Sequence, residues 1–170
     1  MGNETKPEVD RELVRKMGEN RALTFHAIGQ FIFEFSQLEF TIRFALAAYL
    51  GLPDDDSFDA VTGPYDFRML CAVTSKVGCI KFPERKEQID KLYKECQALN
   101  DRRVHIAHGL WNDGLQEFSV RVFNRQKLDA AHYPYSSDEL NALADKAQEL
   151  MQRVIGFSPN PPAPVQQETA

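Results

Sequence analysis

Apolar residues recur along this chain in steps of three and four over long stretches, and those stretches predict helices. Between Arg21 and Leu50, the residues Phe25, Ile28, Ile32, Phe35, Ile42, Leu46 and Tyr49 keep that step, with Glu39 in the missing place. Gly51 and Pro53 stop the run. Phe31, Leu38 and Ala45 make a neighbouring row, and Phe33, Phe40 and Phe44 lie on another face. A helix apolar on most sides is surrounded by protein, as the centre of a bundle or the wall of a dimer interface.

Ahead of it, a short helix is expected from Glu8 to Met17, ending near Gly18. After it, Asp54–Pro64 reads as an acidic connection, followed by a helix over Tyr65–Val77 that buries Phe67, Leu70, Cys71 and Val73. A further helix begins after Pro83 and runs to His108, with Ile89, Leu92, Cys96, Leu99 and Ile106 on one face and Gly109 placed to end it. Leu110–Gly114 gives a turn signal, and Phe118, Val120 and Val122 alternate within Glu117–Phe123, which predicts a small β-hairpin. Ser136 and Glu139 form a capping-box pattern. The last helix opens there and continues through Leu140, Leu143, Ala144, Ala147, Leu150, Met151, Val154 and Ile155.

The expected fold is all-α: an up-and-down bundle of four or five helices with a small β-hairpin inserted before the last one. Residues 1–20 read as a polar N-terminal segment, 21–157 as the helical domain, and 158–170 as a disordered tail rich in Pro and Gln. There is no internal repeat.

At 170 residues, 43% hydrophobic, the chain can bury a core of ordinary size. Its formal net charge of −5 disfavours indiscriminate coating of nucleic acid, which depends on phosphate neutralisation, but leaves room for one local basic site. The apolar stretch Phe25–Leu50 is interrupted by His26, Gln30, Glu34, Gln37, Glu39 and Arg43, too many polar groups for a membrane span. Met1–Asn20 has no apolar secretory core. Cys71, Cys79 and Cys96 form no metal-type pair and leave one over from any disulfide, so reduced core thiols in a cytoplasmic protein are expected.

Three features carry candidate chemistry. Asp101, His105 and His108, spaced four and three apart, share one sector of their helix and adjoin Arg102 and Arg103. Arg103 itself falls on the apolar side and needs a partner or the bundle edge. Glu39, alone in an apolar seam, wants a cation: Arg102 or Arg103 on a facing helix, or a hydrogen bond from His105 or His108. Such a pair is also ordinary structural glue between helices. Trp111, just past the helix end, suits stacking on a base or covering the core. A metal at Asp101, His105 and His108 would need further ligands that the sequence does not cluster, so none is expected. No phosphate loop and no Ser or Cys nucleophile motif is present.

The run Arg103-Val104-His105-Ile106-Ala107-His108-Gly109 resembles the Arg-x4–6-His signature of HEPN domains, often Arg-Asn-x-x-Ala-His-Gly at a helix end. Phe35-Ser36-Gln37-Leu38-Glu39 is similar to an aromatic-Ser-x-Leu-Glu segment of some bacterial HEPN-like proteins, and the order of elements agrees over Arg21–Phe157. The resemblance implies a helical homodimer that brings two copies of the motif into one cleft. Active members are metal-independent endoribonucleases without a cofactor, frequently toxins or defence effectors, so RNA and a cognate antitoxin protein are the implied partners. Other members only bind a ligand, nucleic acid or partner protein. Carried over, His108 is the catalytic histidine and Arg103 the arginine, with Arg102 also allowed by the spacing. Val104 stands where the pattern commonly has Asn, and His105 is placed to supply that polarity. Arg103 and His108 lie about 140° apart on an ideal helix, awkward for a single phosphate bound by one chain; the reach of the arginine, a distorted helix end or the partner subunit would each resolve it.

Overall fold

The computed structural model describes residues 11–113, 118–124 and 129–158. Within them run α1 (Arg11–Leu50), α2 (Asp55–Thr62), α3 (Phe67–Lys81), a 3₁₀ turn (Pro83–Arg85), α4 (Lys86–His108), β1 (Leu110–Asp113), β2 (Phe118–Asn124), β3 (Asp129–Tyr135) and α5 (Ser137–Phe157). The fold is all-α, with one small antiparallel sheet ordered β1-β2-β3 before the last helix. The expected tail lies outside the described residues, apart from Ser158.

The helix ends follow from local chemistry. Gly51, at φ 67°, closes α1 in the left-handed conformation, with Gly51 N–H donating to Ala48 O and Leu52 N–H to Ala47 O. Asp54 and Asp66 cap α2 and α3 by accepting from Ser57 N and Met69 N. The expected capping box of Ser136 and Glu139 starts α5.

Contacts fix the directions of the helices. Tyr49 Oη donates to Phe157 O, so α1 and α5 end together. Phe35 packs on Phe67, ring centroids 4.6 Å apart, and a Cβ at Gly78 would lie 3.1 Å from Tyr49; α3 therefore climbs beside α1. Ser75 bonds Asp90 and Arg68 bonds Asp101, so α4 descends along α3. Counting the short α2 as a descending element, the chain goes up, down, up, down, up. The core gathers Phe31, Leu38 and Ile42 of α1, Leu70 of α3, Leu92 of α4, and Leu140 and Leu150 of α5, all 0% exposed.

Several expectations are corrected. Residues 11–20 are not a separate helix ended at Gly18; they are the start of one helix of 40 residues, about 60 Å long. Gly18 has open space around it and costs a helix only about 1 kcal/mol. The acidic connection contains a helix, α2, whose Asp54, Asp55 and Asp56 suit the N-terminal end of the macrodipole. Leu110–Asp113 is a strand, and β3 makes three strands where a hairpin was expected. Phe25 leaves the core at 54% exposed, because a seven-residue repeat drifts by about 20° per turn pair on a straight helix. The rest of that row from Phe35 onward is buried at Phe35, Ile42, Leu46 and Tyr49, together with the neighbouring row Phe31, Leu38 and Ala45.

The thiols are free, Cys71 and Cys96 buried and Cys79 half-buried. Burial pushes the Cys96 thiol up to about 12, and Cys71 is likewise raised by burial. No helix among the described residues is long and apolar enough to cross a membrane.

Candidate functional site

The candidate cluster sits on the last two turns of α4, where the helix meets the sheet. Gly109 makes that junction possible. A Cβ there would come within 2.0 Å of Val120 Cγ1 on β2 and 2.6 Å of His105 O, so only glycine lets the strand pass this close to the helix end. Gly109 N–H closes the helix on His105 O, and β1 then pairs with β2 from Leu110 onward.

The five polar residues of the cluster divide into held and free. Asp101 is exposed and accepts from Arg68 Nη2 at 2.5 Å, a partner on α3 that local spacing could not suggest because it lies 33 residues away. His105 is half-buried and stacks on Tyr133 of β3, centroids 4.6 Å apart. Its Nδ1 is buried with no hydrogen-bond partner among the described residues. Arg103 is half-buried, its guanidinium carbon 5.8 Å from the centre of the Phe35 ring on α1. That contact is how a cation on the apolar side of α4 is accommodated: the flat guanidinium lies over an aromatic face. Arg102 and His108 are exposed and make no hydrogen bond or ion pair among the described residues. The positive charge of Arg102 reaches Glu139 on α5, whose carboxyl is lowered mainly by its bonds to Ser136.

Glu39 does not reach α4. Its Oε1 accepts from Arg43 Nη2 at 2.7 Å, one turn along α1. Arg43 also donates to the carbonyls of Thr62 and Tyr65, fastening the end of α2 to α1. The expected pair across helices is thus replaced by a local one, because Arg43 already stands four residues away on the same side.

Trp111 points inward, half-buried against the core, with Nε1 donating to Ile106 O at 2.9 Å and its ring near Tyr135. This gives the indole a packing role at the foot of α4. Among the described residues, no three His, Cys, Asp or Glu side chains gather closely enough to hold a metal ion.

Within one chain, then, α4 presents Arg102 and His108 to solvent, fixes Arg103 on Phe35, and turns His105 onto the sheet. Among the described residues, no contact brings Arg103 and His108 together. No family model, curated protein or solved structure matches the chain.

Proposed function

We propose that the protein is a HEPN-like, dimeric, metal-independent endoribonuclease of the toxin or defence type, with His108 as the proton-transfer group and Arg103, assisted by Arg102, as the phosphate-binding cations. The observation that carries it is the uncommitted His108 on the last turn of α4, beside two arginines that no carboxylate neutralises through an ion pair among the described residues. Cleaving RNA without a metal needs a group that titrates near neutrality to take the 2′-hydroxyl proton, and histidine is the side chain nearest that value. The developing charge on phosphorus needs preorganised cationic donors, which a guanidinium supplies. The attacking oxygen is the substrate's own, so the 3′-side phosphate is left as a 2′,3′-cyclic ester and the 5′-oxygen leaves with a proton.

Because Arg103 and His108 diverge on α4, the reading calls for a second copy. The exposed aromatic surface of α1 supports one: Phe33 is 61% and Phe40 52% exposed, far more apolar ring than an isolated helix face usually carries. A toxin of this type would also have a cognate antitoxin protein, and a cytoplasmic location follows from the same reading.

The test is cleavage of single-stranded RNA by purified protein in EDTA, with cyclic-phosphate ends and loss of activity in His108→Ala. Sedimentation should give a dimer that Phe33→Ser with Phe40→Ser converts to monomer. A folded dimer that cleaves no RNA between about pH 5 and 9 would leave the second reading, a catalytically inactive HEPN-like dimer that binds a ligand, nucleic acid or partner protein. The packing of His105 and Arg103 onto aromatic rings favours that second reading, since both are held in place within the fold.

A further inference from the structure

A groove of about 350 Å³ lies between the last turns of α1 and the start of α2. Small residues line it at Ala47, Ala48 and Gly51, and aromatic rings at Phe44 of α1 and Phe58 of α2. Those two rings stand 5.0 Å apart between centroids. Phe40 packs on Phe44 at 4.7 Å and on Phe58 at 6.3 Å, and Phe40 and Phe44 both remain exposed. Ser158, which follows α5, lines the same groove. Tyr49 Oη donates to Phe157 O and so fixes that exit beside the end of α1. Ser158 leaves the helix at φ −73°, ψ 133°, polyproline II backbone of the kind favoured ahead of a proline.

The chain continues from there through residues 159–170, outside the described residues, beginning Pro159-Asn160-Pro161-Pro162-Ala163-Pro164. Polyproline II repeats every three residues, so in that conformation Pro159 and Pro162 share one edge, Pro161 and Pro164 a second, and Asn160 and Ala163 the third. Two edges of proline rings suit a groove lined by aromatic side chains, and the third edge is left to water. Proline also fixes φ in advance, so little conformational freedom is lost on docking. Residues 159–167 carry no charge, so Asp54 and Asp55 at the groove repel none of them. Residues 159–164 reach about 19 Å as polyproline II. Phe44 lies five residues before Tyr49 on α1, only about 8 Å along the axis. A segment tethered at the groove is present there at a concentration on the order of millimolar, which a separate molecule would have to match.

We infer that residues 159–164 occupy this groove as polyproline II, with their proline edges against Phe44 and Phe58. The chain thereby covers its own aromatic surface between α1 and α2 and secures the exit of α5 against both. This contact is independent of any RNA chemistry.

The experiment is NMR on the full chain, combining amide ¹⁵N relaxation with NOEs from ¹³C-labelled proline. Asn160 and Ala163 carry N–H groups, and their order parameters should stand near about 0.85, where a tail that is merely tethered gives less than about 0.6. NOEs should join the rings of Pro162 and Pro164 to those of Phe44 and Phe58. Phe44→Ser changes an exposed position, and it should bring both order parameters into the tethered range and erase the NOEs. Low order parameters in the unsubstituted chain, or high ones that survive Phe44→Ser, would overturn the docking. Chains carrying both ¹³C-proline and ring-deuterated phenylalanine, mixed with unlabelled chains, should show none of these NOEs. NOEs that appear in the mixture would give the groove to the tail of a second copy and overturn the contact within one chain.

Discussion

The imidazole of His105 stacks on the ring of Tyr133, planes 24° apart, and this contact ties the last turn of α4 to the far strand of the sheet. It separates the two histidines of the motif by role. His105 is half-buried and held by this stack, its Nδ1 without a hydrogen-bond partner among the described residues, whereas His108 is exposed. His105→Phe, which keeps the stack, should retain fold and RNA cleavage within a few-fold. His105→Ala should lower stability by about 1 kcal/mol, the worth of an aromatic pair. His108→Ala should leave urea unfolding unchanged and lower cleavage by about 10²-fold or more. A His108 effect under tenfold, read from initial rates, would contradict the assignment.

Gly109 can be tested without any activity. Gly109→Ala drives a methyl into Val120 and the His105 carbonyl, and overpacking of this kind costs about 1–3 kcal/mol. In a Val120→Ala background the same substitution should cost less, though not nothing, because the carbonyl clash remains. A double-mutant cycle on urea midpoints measures the difference, and strict additivity would refute this account of the junction.

Arg43 is expected to matter more than Glu39. Arg43→Met removes its bonds to the Thr62 and Tyr65 carbonyls, of which Thr62 O keeps a long bond from Tyr65 N–H, and should cost about 2 kcal/mol. Glu39→Gln leaves those two bonds in place and should cost about 1 kcal/mol or less, well under the value for breaking a fully buried ion pair. Equal costs in chemical unfolding would mean that the carboxylate, not the carbonyls, anchors the clamp.

Away from the motif, Glu95 of α4 accepts from Arg153 and Lys146 of α5, and these bonds push its carboxyl down to about 2. The folded value lies below the unfolded one, so the contribution is complete above about pH 4.5 and is lost as pH falls toward about 2. Glu95→Gln should therefore lower stability at neutral pH by about 1 kcal/mol, a modest figure because solvent screens the partners. The difference from wild type should close in unfolding curves taken near pH 2. A difference that persists there would trace the effect to packing instead.

What the sequence revealed and what it hid have a common physical basis. Signals confined to one or two helical turns were legible: the Gly51 stop, the Ser136–Glu139 box, the apolar face of α4 and its end at Gly109. Information carried by pairing between distant segments was not. The strand β3, with Ala130, Ala131 and Pro134, has weak strand propensity; it is held by register with β2, and proline is tolerated there because β3 is an edge. Arg68 for Asp101, Phe35 for Arg103 and Tyr133 for His105 are likewise partners from other elements. In α2 the local signal existed, an Asp cap followed by two further Asp, but the acidic composition read as a connection. For Glu39 the error ran the other way: a distant partner was expected where the next turn already supplied one.

The 40-residue span of α1 gives one unbroken helix two thermodynamic characters. From Thr24 onward its inner face is buried, and amides around Phe31–Leu46 can exchange with solvent only when the whole bundle opens. Arg11–Asn20 are exposed but for the half-buried Met17 and Asn20, and Arg15 bonds to Glu12 and Glu19 beside it on the same helix. An exposed stretch of helix gains little from packing, so its amides should open at a lower free-energy cost than those of the buried part. Hydrogen exchange along α1 would therefore fall as a gradient rather than a step. Any molecule that grips the overhang would register as protection spreading outward from Thr24, a readout of binding that requires no knowledge of the ligand.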